Sequence, residues 1–207
     1  MISLVAKINY DKHLQELISN LEYKPKLLLH SCCGPCSSYV ITYLKDYFDL
    51  TILFYNPNIE PIEEYELRLS EQVRLLKELN IPHVKMLDTE YENEVYRSKV
   101  LGLEREKEGG SRCKVCYYLR LEKTAVLAKK YGFEYFATTL TVSPYKNAQV
   151  LNEIGKTLAE LHQVKWLYSD FKKQEGYKKS IELSKKYELY RQDYCGCLFS
   201  KEYLNNK

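Results

Sequence analysis

The sequence predicts an α/β fold, a parallel sheet of about five strands with helices on both faces and metal-binding loops at its carboxyl edge. Three observations lead there. Short apolar runs of strand length alternate along the chain with amphipathic stretches of helical length, the pattern of βαβ units. The connections between successive runs are long enough for a crossover helix, which parallel pairing requires. Turn-forming segments rich in Cys, Pro and Asn follow strands one, two and four, and that topology collects them on one edge of the sheet.

Taken in order, residues 9–21 place Leu14, Leu17, Ile18 and Leu21 at i, i+3, i+4 and i+7, so an amphipathic helix begins near Asn9 or Asp11. Residues 1–25 are read as a helical extension and 26–207 as a single α/β domain that carries the chemistry. The apolar run 26–30 reads as a buried strand, followed after a cysteine turn by a helix over 37–47. Strand two covers 51–55 and stops at NPNIEP. Pro61 suits the first turn of a helix reaching about Leu79, with Leu67, Val73, Leu76 and Leu79 facing inward. Strand three is placed at 83–87. Residues 90–107 form a charged helical stretch, which Gly109 and Gly110 end before a new helix begins around Cys113. Strand four covers 134–138, the loop TLTVSPYKN follows, and a helix over 148–162 leads to strand five at 164–168. A last helix, 177–187, runs into YRQDYCGC.

The 207 residues suit one domain able to bury a core, and no apolar segment is long enough for a membrane span. The N-terminus turns polar too early for a signal peptide, which predicts a cytoplasmic protein. A net charge of +3 does not by itself imply nucleic acid. The twenty tyrosines can serve as core, as hydrogen-bonding surface or as platforms for bases.

Seven cysteines carry most of the information. Cys32, Cys33 and Cys36 lie in the turn after strand one, Cys113 and Cys116 form a CxxC, and Cys195 and Cys197 form a CxC. In a reducing compartment an odd set in this spacing indicates metal or redox chemistry rather than disulfides. CxxC lets two sulfurs bind one metal or cluster, and Cys113 opens a helix whose amides favour thiolate. We read all seven as one metal site gathered from three distant segments. Four thiolates suffice for a tetrahedral zinc or an iron–sulfur cluster, so seven suggest a cluster with a second metal or with free redox thiols. Adjacent cysteines in extended chain point in different directions, so Cys32 and Cys33 could each serve one of two neighbouring metal centres. A structural zinc site on CxxC and CxC is the simpler alternative, and it leaves the first three cysteines without a role. His30 is read as a buried, hydrogen-bonded histidine rather than a ligand. Asn56 and Asn58 are turn residues with a chance of substrate contact, and Arg112, Lys146, Lys173 and Arg191 are basic residues near the site that can meet phosphates.

HSCCGPCS at 30–37, YNPNIEPIEEYELR at 55–68, RCKVCYYLRL at 112–121, TTLTVSPYKN at 138–147 and FKKQEGYKKSIELSKKYELYRQDYCGC at 171–197 together resemble the cobalamin-independent epoxyqueuosine reductases, the QueH family. The resemblance spans the chain from Lys26 to about Ser200. It implies a Rossmann-like domain of the adenine nucleotide α-hydrolase-like (HUP) type, and reduction of epoxyqueuosine to queuosine at the wobble position of tRNA anticodons. It further implies a [4Fe-4S] cluster, a nearby mononuclear iron, tRNA carrying epoxyqueuosine as partner, and an external electron donor. Some members have an aspartate where this chain has Cys36. On this basis Cys113, Cys116, one of Cys32 and Cys33, and one of Cys195 and Cys197 are expected at the cluster. The remaining member of each of these two pairs, with Cys36, is expected at the iron. Tyr117, Asp193 and Tyr194 are the proton-donor candidates. An iron–sulfur tRNA thiolase is disfavoured because HSCCGPCS stands where such enzymes carry a phosphate-cradling SGGxDS-type loop. A non-catalytic zinc-stabilised RNA-binding module and a thiol–disulfide oxidoreductase using the Cys32–Cys33 pair each leave part of the cysteine set unexplained.

Overall fold

The computed structural model describes residues 8–200. Residues 1–7 of the expected helical extension and 201–207 of the expected domain lie outside the described residues. The central strand, β1 (Lys26–His30), has four consecutive residues with no exposed surface, Leu27 to His30. It is flanked in parallel by β2 (Asp49–Leu53) and β4 (Tyr135–Thr138), with β3 (Lys85–Leu87) and β5 (Lys165–Trp166) at the edges, in the order β3-β2-β1-β4-β5. This is the five-stranded, all-parallel α/β architecture expected from the alternation of runs.

Alternation along β1 divides the core between the two faces of the sheet. Leu28 joins Leu53, Leu121, Phe136, Leu151 and Leu158 on one face, where α5 (Ser111–Lys130) and α6 (Ala148–His162) pack. Leu27 and Leu29 join Leu14, Val40, Ile41, Leu44 and Ile52 on the other, under α1 (Tyr10–Ser19) and α2 (Gly34–Leu44). Each such fully buried aliphatic side chain stabilises the fold by about 1.5–3 kcal/mol. Helix α7 (Gly176–Lys186) lies against α2. At Gly155 of α6 the helix touches the sheet directly: a Cβ there would stand 2.2 Å from the Trp166 indole. Asn152, one turn earlier, accepts from Trp166 Nε1 at 2.9 Å and from the Ser169 amide at 3.1 Å.

Several boundaries differ from expectation, each for a local reason. Helix α2 begins at Gly34 rather than Ser37, because Pro35 is compatible with a first helical turn and lacks only an N–H that would find no helical partner there. Cys36 is therefore on the helix. Strand β2 sits two residues earlier than predicted, in register with β1. Helix α3 spans Ile62–Leu79, and Leu67 and Val73 are exposed, contrary to expectation; Tyr65, Arg68, Gln72 and Leu75 face inward. That inner face is partly polar because Arg68 meets the C-terminal cysteine loop and Gln72 accepts from Ser31 Oγ beyond β1. The charged stretch 90–107 is helical only in α4 (Asn93–Lys99), and Gly102 at φ +82° carries the chain into turns beyond it. TLTVSPYKN opens with a 3-10 turn, Thr139–Val142. Among the described residues no helix is long and apolar enough to cross a membrane.

Candidate metal centre and its cavity

All seven cysteines are free thiols, and the carboxyl edge of the sheet is where the first three sit. Cys32 leaves β1, and its amide donates to Thr139 Oγ1 at 3.1 Å, tying it to the segment after the adjacent strand β4. Cys33 caps α2, and Cys36 follows in the first turn. The expected divergence of Cys32 and Cys33 does not occur. At this strand-to-helix junction extended alternation ends, so their sulfurs are 3.7 Å apart, and those of Cys32, Cys33 and Cys36 all lie within 4.8 Å of one another. Tetrahedral thiolate ligation at about 2.3 Å requires sulfurs just under 4 Å apart, so the triad fits one metal ion. Hydrogen bonds from Cys32 and Cys36 hold the Cys33 thiol well below its ordinary range, while that sharing pushes Cys32 and Cys36 up.

The other four thiols come from α5 and the C-terminal loop. Cys113 and Cys116 occupy the first turns of α5, where the Gly109 amide donates to Cys113 Sγ at 3.2 Å. Burial pushes Cys116 up to about 12, and burial likewise raises Cys113; in both, the charge of Cys195 adds to the rise, which puts the loop beside the helix. Cys197 is buried, with Tyr96 Oη 3.1 Å from its sulfur. The loop reaches this position because α3 holds it. Arg68 donates to the carbonyls of Cys195 and Tyr194, the Glu60 amide donates to Gly196 O at 2.8 Å, and Tyr194 Oη donates to Glu60 O at 3.0 Å. Gly196, at φ +103°, lies so close to Arg68 and Ile59 that a Cβ would stand under 3 Å from both. Farther back, Arg74 donates to the carbonyls of Tyr187 and Glu188, and Glu71 accepts from the Tyr190 amide.

Buried cations lie among the sulfurs. Arg120 NH1 is 4.0 Å from Cys116 Sγ, and its other nitrogens donate to His30 Nε2 and Asn56 Oδ1. Burial disfavours the guanidinium charge, yet the thiols of Cys116, Cys32 and Cys195 outweigh it and raise its pKa. Lys146 Nζ lies 3.2 Å from Cys195 Sγ and 2.9 Å from Glu108 Oε1; burial opposes its charge, but Cys195, Tyr117 and Glu108 hold it protonated well above the ordinary range. His30 is buried and neutral, its pKa lowered to about 3 by burial and by Arg120, with Nδ1 2.8 Å from Thr138 Oγ1 and Nε2 3.1 Å from Tyr55 O. It is the hydrogen-bonded core histidine that was expected.

These groups surround a cavity of about 390 Å³ lined by Cys32, Cys33, Cys36 and Cys195 with Arg68, Arg120, Lys146, Arg191, Asp193 and Tyr194. Of the three proton-donor candidates, Asp193 and Tyr194 line it; Tyr117 is buried behind it, its hydroxyl pKa raised by that burial. Among the expected tRNA contacts, Arg191 and Lys173 are exposed and Lys146 turns into the cavity. Asn56, Asn58 and Arg112 require correction, because none is more than 2 % exposed. Asn56 bridges Ser31 O and Arg120, and Arg112 donates to the carbonyls of Leu103, Glu104 and Glu106, clamping the turns before α5. Sequence reading passed over Arg68 and Gln72, although Glu64, Arg68 and Gln72 recur every four residues and so share one helix face.

Comparison with known proteins points the same way. The sequence model of the family described as epoxyqueuosine reductase QueH matches residues 27–203. A protein of that name from Staphylococcus epidermidis is 45 % identical over 202 residues, covering 94 % of this chain and 85 % of the relative. Another from Streptococcus pyogenes is 42 % identical over 94 % of this chain and 78 % of its own length, and one from Thermotoga maritima is 38 % identical over 84 % and 89 % respectively.

Proposed function

Since the chain belongs to the QueH family of epoxyqueuosine reductases, we propose that it reduces epoxyqueuosine to queuosine at the wobble position of tRNA anticodons, the last step of queuosine synthesis. The observation that carries this reading is the cavity at the carboxyl edge, where thiols from the β1–α2 junction and from the C-terminal loop face buried cations. The donor set suits soft, thiolate-bound iron. Cys113, Cys116, Cys195 and Cys197 would hold a [4Fe-4S] cluster, and Cys32, Cys33 and Cys36 a mononuclear iron. This assignment replaces the expected split of the Cys32–Cys33 pair, and the close sulfurs of the triad support it. When bound, these groups supply the two electrons and the Lewis acidity that removal of an epoxide oxygen as water demands, with electrons renewed by an external donor.

The chain's own residues do the rest. Arg120 and Lys146 offset thiolate charge inside a region of low dielectric. Thr139 Oγ1 lies 3.4 Å from Cys32 Sγ and donates to it, orienting the thiol. Asp193 and Tyr194 both line the cavity; the Tyr194 hydroxyl donates to Glu60 O, which leaves the Asp193 carboxyl as the proton-donor candidate that meets a ligand there. Arg191 stands at the same cavity for a phosphate of the bound RNA. A tRNA substrate would place the enzyme in the cytoplasm.

The test is anaerobic purification followed by iron, sulfide and zinc analysis, then incubation with epoxyqueuosine tRNA and a chemical reductant, with the product nucleosides measured by mass spectrometry. Sulfide, iron in excess of one cluster and formation of queuosine are expected. Zinc without sulfide, and no product, would replace this reading with a zinc-stabilised RNA-binding module.

A further inference from the structure

The segment SPYKN at 143–147 contains a residue with no part in the chemistry above. Tyr145 is 78 % exposed, whereas its neighbour Lys146 is buried against Cys195 and Glu108. The turn that displays the ring is well tied. Ser143 N donates to Leu140 O, Lys146 N to Ser143 O and Tyr145 N to Ser143 Oγ, while the Asn147 side chain caps α6. The bracing holds the backbone that carries the ring, so on binding only the side chain's own rotation is left to be ordered, and the ring contributes nothing to the core.

Its location gives it a use. Tyr145 lines the thiol cavity and also a second cleft of about 690 Å³, whose walls include Tyr10, Gln149, Asp170, Lys172 and Lys173. Lys146 is shared in the same way. The ring therefore stands on the saddle between the two cavities, where a strand with one nucleotide in the first must cross to reach the second. Within the second cleft Lys172 is neutralised by Asp170 at 2.5 Å, whereas the adjacent Lys173 is exposed.

We propose that Tyr145 is the stacking platform for a nucleotide next to the one being modified, and that the second cleft, through Lys173, receives the continuing backbone of the anticodon loop. This rests on the tRNA reading above. Stacking on an aromatic face tolerates any base, so the platform positions the loop without reading its sequence.

The experiment uses the full chain and a synthetic anticodon stem-loop RNA carrying 2-aminopurine on either side of the wobble nucleotide. Titration with the wild type should quench the probe at one flanking position. Tyr145→Ala should bind about tenfold more weakly and lose the quench, whereas Tyr145→Trp should keep both. Lys173→Ala should reduce the slope of log affinity against log salt by about 0.7, the loss of one single-strand phosphate contact. Equal affinity and quenching for Tyr145→Ala and wild type would overturn the proposal, as would failure of Tyr145→Trp to exceed Tyr145→Ala or failure of the wild type to bind the hairpin. Reduction of epoxyqueuosine tRNA by the same wild-type sample is read separately, so loss of that activity indicts the catalytic reading, and normal activity with an indifferent Tyr145 indicts the platform alone.

Discussion

The Lys146 ammonium stands 3.2 Å from the Cys195 sulfur, buried, with Glu108 on its other side. A cation in that place lowers the energy of electrons arriving at any centre the sulfur ligates, because reduction adds negative charge beside it. Lys146→Met is expected to shift the reduction potential of the loaded protein to more negative values while its iron and sulfide contents hold. An unchanged potential in a spectroelectrochemical titration would rule out this role.

The two thiol groups separate by substitution. Cys113→Ser or Cys116→Ser should eliminate the visible absorption and the acid-labile sulfide of a cluster. Cys36→Ser should lower activity and the iron content by about one atom while sulfide stays, since three thiolates suit a single metal. Cys32→Ser and Cys33→Ser should both behave like Cys36→Ser. If one of them instead loses sulfide, the pair is divided between the two centres after all.

Arg68 is buried, pairs with Glu64 at 2.6 Å and stacks over the Tyr194 ring at 5.0 Å while holding two loop carbonyls. Removing one partner of such a buried pair costs about 3 kcal/mol or more. Arg68→Met should therefore lower the urea midpoint, and in metal-free protein it should speed modification of Cys195 by a thiol reagent. Wild-type reactivity at Cys195 would mean that the loop is held by other contacts.

Glu71 has its carboxyl held below the ordinary range by Arg74 and, behind that, by the Tyr190 amide. A depressed carboxylate contributes stability in full above its unfolded value of about 4.3 and loses it as pH falls through the lower folded value. Urea midpoints measured downward from pH 5 should thus fall more steeply for the wild type than for Glu71→Gln. Parallel curves would remove Glu71 from the acid response.

Gly155→Ala places a methyl where the Trp166 ring already lies. Overpacking of this kind costs about 1–3 kcal/mol, seen as a lower melting temperature with altered tryptophan emission. A melting temperature equal to the wild type would show that the indole has room to retreat.

Sequence alone determined the order of elements, the parallel sheet and the family, because alternating runs of distinct length and cysteine spacings such as CC-x-x-C, CxxC and CxC are local patterns. Strand β1 and helix α6 have the predicted bounds for that reason. Only tertiary structure decided which thiols meet. Cys32 and Cys33 read as divergent while the chain was taken as extended, and converge because Gly34–Pro35 starts a helix at once. It also decided the fate of the polar residues. Arg112 and Asn56 looked available for RNA, but folding buries both, Arg112 NH1 against backbone carbonyls and Asn56 between Ser31 O and Arg120, whereas Arg68 found partners more than a hundred residues away in the C-terminal loop. Spacing encodes neighbours along one helix or strand; whether a charge is solvated, paired or set beside a sulfur depends on segments that meet only when the core closes.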